Sequence, residues 1–264
     1  MALLHVNYYS HVLGMDMEMD VILPEQTRGQ IGMEGHSDAV WKTLYLLHGM
    51  SDDHTIWQRR TSIERYAAEK GISVVMPTTY LGWYTDMYRG PRYFTALAVE
   101  LPKLCRQMFP RMSPHREDTY AAGLSMGGYG ALKFGLRAPE TFSKVASLSG
   151  ALNPFQIRKD GAMSPERLRL MENVFCSPSA MKGSFNDLFT AAEELRDAPL
   201  RPEIYLWCGT EDFLIRQNRE MRAHLERLGY SLTYAESPGD HRWKYWDEKI
   251  QTVLDWLLPE KEGK

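Results

Sequence analysis

The chain has 264 residues, 25% of them charged and 44% hydrophobic, with a formal net charge of -3. It is long enough to bury a substantial core, and it carries no charge excess that would favour nucleic acid or an anionic membrane surface. No segment approaches the apolar length of a membrane span, and Met1–Ser10 has neither the basic start nor the sustained apolar core of a secretion signal. Three cysteines far apart in sequence, Cys105, Cys176 and Cys208, argue against a disulfide framework and fit a reducing compartment, so a cytoplasmic location is expected.

Asp16–Leu23 alternates polar and apolar residues with period two, the pattern of an antiparallel strand at one edge of a sheet. Glu25–Ala39, rich in glycine and polar residues, reads as an exposed excursion and not as a linker between domains. Short apolar runs suited to buried strands follow at Trp41–Leu47, Ile72–Met76, Asp118–Leu124, Lys144–Leu148, Glu203–Cys208 and Ser231–Glu236. Helical patterns separate most of them: Ile56–Glu69, Phe94–Phe109 with an irregularity at Pro102, Tyr129–Leu136, Phe213–Arg227 and Lys244–Leu258. This alternation implies an α/β protein in which residues 1–264 form a single domain around a parallel sheet covered on both faces. Asn153–Pro199 interrupts the rhythm with Pro154, Pro165, Pro178 and Pro199 and one helical piece at Glu166–Met171. A connection of this length is expected to form a small cap-like insertion over the C-terminal ends of the strands.

The most informative stretch is Gly123-Leu124-Ser125-Met126-Gly127-Gly128, set between a strand-like run and a helical pattern. So tight a strand-to-helix turn strains the serine, and glycines two residues before and after it leave room for neighbouring backbone. Ser125 then stands at a helix N-terminus, where the Met126 N–H and the helix dipole face any negative charge on a bound carbonyl oxygen. The plainer alternative is a structural βα turn or a phosphate cradle. The phosphate spacings G-x-x-x-x-G-K-[ST] and G-x-G-x-x-G are both missing. Nucleophilic acyl chemistry is the reading favoured.

Such a nucleophile needs a base and an acid, which in this fold type follow it in the order Ser, Asp or Glu, His. Only His224 and His241 lie beyond Ser125. His224 sits in a charged amphipathic pattern and reads as a solvated helix residue. His241 sits in the turn-rich Ser237–Trp243 after a strand pattern, where catalytic groups are presented, and is the candidate base. The run ending at Gly209 is followed by Thr210-Glu211-Asp212. Asp212, opening the next helix, is the candidate acid, with Glu211 as its solvated neighbour. A second oxyanion donor is expected after the strand ending in His48-Gly49, as the backbone N–H of Met50 beside that of Met126. His48, Asp52, Asp53 and His54 could in principle hold a metal, yet their spacing matches no zinc signature. No metal or other cofactor is expected, and Asp52 or Asp53 is assigned to capping the helix near Ile56.

Leu46–Asp53, Gly82-Trp83-Tyr84-Thr85-Asp86 and Ala122–Gly130 together resemble the esterase D-like branch of the α/β-hydrolases, and are most similar to its bacterial tributyrin esterases. The likeness spans nearly the whole chain. It implies the α/β-hydrolase fold with a mostly parallel eight-stranded sheet, carboxylesterase activity on short acyl chains, and Ser125, Asp212 and His241 as a triad. The wider family also includes S-formylglutathione hydrolases, feruloyl and acetylxylan esterases and mycolyl transferases, so substrate identity does not follow from the fold. Trp57, Trp83, Tyr84 and Trp243 are candidates for the pocket wall, against ordinary packing as the plainer role. The expected partner is a small-molecule ester, such as an acylated sugar, with no nucleic acid or membrane; a homo-oligomer is compatible with the sequence. Hydrolysis of S-formylglutathione is the rival activity, and a non-catalytic binding module of the same fold is the rival class, disfavoured because candidates for all three triad positions are present.

Overall fold

The computed structural model describes residues 1–26, 31, 37–157 and 163–259. Most of the Glu25–Ala39 excursion, and residues 158–162 of the proline-rich interval, lie outside the described residues. The strands are β1 (Ala2–Ser10), β2 (Met15–Leu23), β3 (Thr43–Leu47), β4 (Ser73–Pro77), β5 (Thr119–Leu124), β6 (Lys144–Leu148), β7 (Glu203–Gly209) and β8 (Leu232–Ser237). They form one sheet in the order β1-β2-β4-β3-β5-β6-β7-β8. From β4 to β8 across the sheet all neighbours are parallel, while β2 is antiparallel to both β1 and β4.

Two strand assignments need correction. Asp16–Leu23 is a strand, but it is not the edge, because β1 pairs along its whole length from Ala2↔Leu23 to Ser10↔Met15. Residues 2–10 carry their own alternation, with Leu4, Val6 and Tyr8 turned inward and Leu3, His5, Asn7 and Tyr9 outward. At the far side β8 is itself an edge and is half exposed, where a buried strand was expected.

Alternate residues of the inner strands feed two cores. Tyr45, Leu47, Val75, Ala121, Val145 and Leu206 face α3 (Leu101–Met108), α4 (Met126–Arg137) and α8 (Ile215–Arg227). Leu44, Leu46, Val74, Tyr120, Ala122 and Trp207 face α1 (Ile56–Arg60), α2 (Ile63–Lys70) and α9 (Trp243–Leu257). Each large aliphatic side chain so buried contributes about 1.5–3 kcal/mol, which is what makes this period-two pattern decisive for the sheet.

The expected helix at 56–69 is two helices, broken where Thr61 is extended and its N–H donates to the Trp57 carbonyl. The expected helix at 94–109 opens as a π-helical turn, Thr95–Glu100, before α3. Pro102 supplies no N–H to the turn before it, and that turn widens. Among the described residues the interval 153–199 holds a 3-10 turn (Pro154–Gln156) and three α-helices, α5 (Pro165–Phe175), α6 (Pro178–Met181) and α7 (Leu188–Glu194), where one piece was expected. Pro165 and Pro178 start helices here, behind Ser164 and Ser177, whose hydroxyls accept from Arg167 N and Ala180 N.

Candidate active site

The chain turns from β5 into α4 at Ser125, whose φ of 53° and ψ of -114° lie in a region that residues with a Cβ avoid. Backbone bonds fix it there. Its N–H donates to Leu148 O at 3.0 Å, and its carbonyl accepts from Tyr129 N at 3.1 Å and Ala151 N at 3.0 Å. A Cβ on Gly123 would lie 2.4 Å from Gly127 O, and one on Gly127 would lie 2.3 Å from Leu47 O. The two glycines therefore let α4 start in backbone contact with the ends of β5 and β3, which is why the motif needs them.

His241, 116 residues away, brings Nε2 to 3.0 Å from Ser125 Oγ, and its Nδ1 lies 2.8 Å from Asp212 Oδ2. A carboxylate accepts only, so Nδ1 carries the proton and Nε2 is left free to accept from the serine hydroxyl. Asp212 is almost fully buried, and its other oxygen accepts from Leu214 N at 2.9 Å. That second bond holds the carboxylate aimed at the ring. Phe213 and Trp246 flank the imidazole at ring-centre distances of 4.7 and 4.8 Å. Neither aromatic was singled out from sequence; Phe213 directly follows the candidate acid, and Trp246 falls on the inward face of the last helical pattern.

Met126 N is in the first turn of α4, whose leading N–H groups have no acceptor within the helix. Met50 lies in the loop after β3, whose end touches that first turn at Leu47 and His48. The predicted acid, base, serine and two amide-bearing loops thus converge at the C-terminal ends of β3, β5, β7 and β8. Such a constellation can activate a hydroxyl against an acyl carbon.

The expected aromatic wall differs. Trp57, Trp83 and Tyr84 are each 0% exposed, so they present no surface to a ligand. Trp57 packs in the second core and donates Nε1–H to Leu47 O at 3.1 Å, Trp83 meets Tyr129 and Phe175 edge-on, and Tyr84 donates its hydroxyl to His48 O at 3.0 Å. Their apolar area favours packing over pocket lining. Trp243 is only partly buried and stands edge-on to Trp57 and Trp246.

His224 is also buried, donating Nε2–H to Phe189 O at 3.0 Å and accepting from Arg227, where a solvated residue was expected. Asp53 accepts from Thr55 N at 2.9 Å just ahead of α1, while the N-cap position itself is Thr55. Among the described residues no group of three or more His, Cys, Asp or Glu side chains could hold a metal ion. Beside the chain leaving β6 a cavity of about 440 Å³ is lined by Leu152, Asn153, Phe155, Met181, Asp187 and Phe189 among others. Leu152 adjoins Ala151, the residue bonded to the Ser125 carbonyl. That volume is within the range of small-ligand pockets, roughly 300–1,000 Å³.

Residues 10–257 match the family described as putative esterase. The chain is 30% identical over 262 residues to an acetyl esterase of Caldicellulosiruptor saccharolyticus, covering 97% of this chain and 98% of that protein. Among solved structures it is similar to a substrate-bound fluorophosphonate-binding serine hydrolase of Staphylococcus aureus, with 32% identity and a TM-score of 0.84 over 98% of this chain and 99% of the other. It is likewise similar to an S-formylglutathione hydrolase of the same organism, with 31% identity and a TM-score of 0.83 over 97% and 98% of the two chains. The fold is that of the α/β-hydrolases.

Proposed function

The chain belongs to the putative esterase family, and from that premise we propose that this carboxylic ester hydrolase acts on short acyl esters with Ser125 as nucleophile, His241 as general base and Asp212 as the acid that orients it. His241 Nε2 takes the Ser125 proton as Oγ bonds to the ester carbon, and the carbonyl electron pair moves onto oxygen between the amides of Met50 and Met126. His241 then gives that proton to the departing alcohol, leaving an acyl-serine that water opens by the same route. The observation that carries this reading is the unbroken hydrogen-bond sequence Ser125 Oγ, His241, Asp212, Leu214 N.

Acetyl to butyryl groups are the proposed acyl range, tributyrin-type esters included, supported by the likeness to the acetyl esterase. For the alcohol side we favour small acylated sugars, with residues 153–199 acting as a cap of the single domain and shaping one wall of the cavity. Trp243, the one proposed wall aromatic that keeps exposure, belongs to this reading. A cytoplasmic setting is part of it too, supported by free thiols at all three cysteines. No helix among the described residues is long and apolar enough to cross a membrane. The similarity to an S-formylglutathione hydrolase supports a second reading, a thioesterase.

A panel of p-nitrophenyl esters from acetate to palmitate, with acetylated xylo-oligosaccharides, methyl ferulate and S-formylglutathione, tests the assignment. The reading expects kcat/KM to peak between acetate and butyrate. A peak at twelve carbons or more contradicts it. A hundredfold advantage for S-formylglutathione, about 2.7 kcal/mol in transition-state binding, replaces it with the thioesterase.

A further inference from the structure

His48 is fully buried at the end of β3, yet it touches neither Ser125 nor His241 among the bonds of the site. Its Nδ1 is 2.7 Å from the carbonyl of Gly49, and its Nε2 is 3.0 Å from the backbone nitrogen of Thr79. A carbonyl accepts and an amide N–H donates, so Nδ1 must carry the hydrogen and Nε2 must be bare. One neutral tautomer satisfies both partners. Burial pushes the ring down to about 4, so this tautomer is the form present at neutral pH.

Gly49 O and Met50 N belong to one peptide unit, in which the C=O and N–H point in opposite directions because the bond is planar and trans. Thr79 follows β4, and β3 lies between β4 and β5. The imidazole thus draws the Gly49 carbonyl toward the β4 side, which sends the Met50 N–H toward the β5 side, where Ser125 stands. Gly49 is free of a Cβ that would lie 2.7 Å from Leu124 Cδ1, so the peptide can sit this close to the elbow. The rest of the pocket around the ring is also fixed. Tyr84 donates to the His48 carbonyl, and the first turn of α4 rests on that same carbonyl through Gly127.

We propose that His48 is the positioning residue of the oxyanion site: its clamp between Gly49 O and Thr79 N fixes the Met50 amide toward the oxygen that becomes negative above Ser125. The inference rests on the serine esterase reading and adds to it a residue that never touches substrate. Without the imidazole the Gly49 carbonyl keeps only the longer bond from Asp52 N at 3.4 Å, and a peptide that flips would offer that carbonyl to a developing oxyanion, exchanging a donor for a repulsive acceptor.

The test compares wild type, His48→Phe and His48→Asn on p-nitrophenyl acetate, with Ki for a trifluoromethyl ketone and Tm measured in parallel. Removing one oxyanion donor costs on the order of 10²–10³ in kcat. His48→Phe should therefore lose about a hundredfold in kcat with KM within about threefold, and the ketone's Ki should rise in proportion to the kcat loss. His48→Asn can still donate to Gly49 O and should recover at least about tenfold of that loss. A folded Phe variant with kcat within threefold of wild type, an Asn variant no better than Phe, or an unchanged Ki would overturn the proposal. If the Phe variant does not fold, Asn is compared with His48→Gln, whose amide reaches past Gly49; equal kcat or the reverse order overturns it. Fluorophosphonate labelling of Ser125 in wild type separates the two failures: labelled Ser125 with an indifferent His48 sinks only the clamp, whereas unlabelled Ser125 sinks the esterase reading beneath it.

Discussion

Glu211 and Gly239 are joined by two reciprocal hydrogen bonds: the Glu211 N–H donates to Gly239 O at 3.0 Å, and the Gly239 N–H donates to the Glu211 carboxylate. Gly209 permits this approach, since a Cβ there would lie 2.1 Å from the same Gly239 carbonyl. The pair ties the loop carrying Asp212 to the loop carrying His241, on either side of the acid–base contact. The Gly239 N–H also holds the exposed Glu211 carboxyl below the usual range.

Glu211→Gln keeps an acceptor for Gly239 and should leave kcat/KM within about threefold of wild type. Glu211→Ala removes it and should lower kcat by about tenfold, with KM little changed, because His241 is then less tightly registered on Ser125. Steady-state kinetics on p-nitrophenyl acetate at saturating and limiting substrate distinguish the two. Equal activity of the Ala variant and wild type would show that the staple does not position the base.

His48 predicts a pH dependence of stability. Its folded value of about 4 lies below the unfolded 6.5, so the unfolded chain binds more protons between the two. The stability is fully present above 6.5 and is lost as pH falls toward 4, by about 3 kcal/mol from this residue. Asp53 opposes the shift and His54 reinforces it. Urea titrations at pH 6.5 and 4.5 should show a steeper loss for wild type than for His48→Asn, and parallel curves would contradict the assignment.

Lys133 on α4 is wholly buried, its Nζ within 2.8 Å of Thr85 Oγ1 and 2.5 Å of Asn186 Oδ1, and burial pushes its pKa well down. The folded value lies below the unfolded 10.5, so the unfolded state holds more protons below that pH and stability rises as pH increases toward it. The stability of wild type relative to Lys133→Met should therefore be greater at pH 9.5 than at pH 7, measured by urea unfolding. The reverse slope would mean that the amine is charged in the fold.

Trp57, fully buried between α1 and the sheet, should behave as core. Trp57→Ala is expected to cost about 3–5 kcal/mol of stability. A variant with unaltered Tm but a raised KM would return Trp57 to the pocket wall.

The sequence made the candidate residues Ser125, Asp212 and His241 legible because the proposed chemistry needs fixed residue types at strand ends, and Gly123 and Gly127 mark a turn tight enough to need them. Short apolar runs made most strands legible for a similar reason, since burial on both faces, with Tyr45 and Leu47 in one core and Leu44 and Leu46 in the other, leaves no solvent-facing position in the strand. Residues 2–10 were harder, because Leu3, His5, Asn7 and Tyr9 on the solvent face dilute the apolar signal of an outer strand. Trp83 and Tyr84 misled for another reason. An aromatic near a motif looks alike in sequence whether it lines a pocket or packs beneath it, and only the contacts with Tyr129, Phe175 and Phe134 decide. His48 stood out in the sequence only as the residue before Gly49 and as a possible metal ligand; its clamp depends on Thr79, which the fold supplies from the segment just after the adjacent strand.

The most direct test of the account is the pre-steady-state burst of p-nitrophenol from p-nitrophenyl acetate, in wild type and Ser125→Ala, followed by mass spectrometry of the trapped protein. The account predicts one acetyl group per chain on Ser125 in wild type, no burst in the variant, and a fall in kcat of several orders of magnitude with the fold intact by circular dichroism. Turnover by Ser125→Ala equal to wild type, or a stoichiometric acetyl group on any other residue, would contradict it.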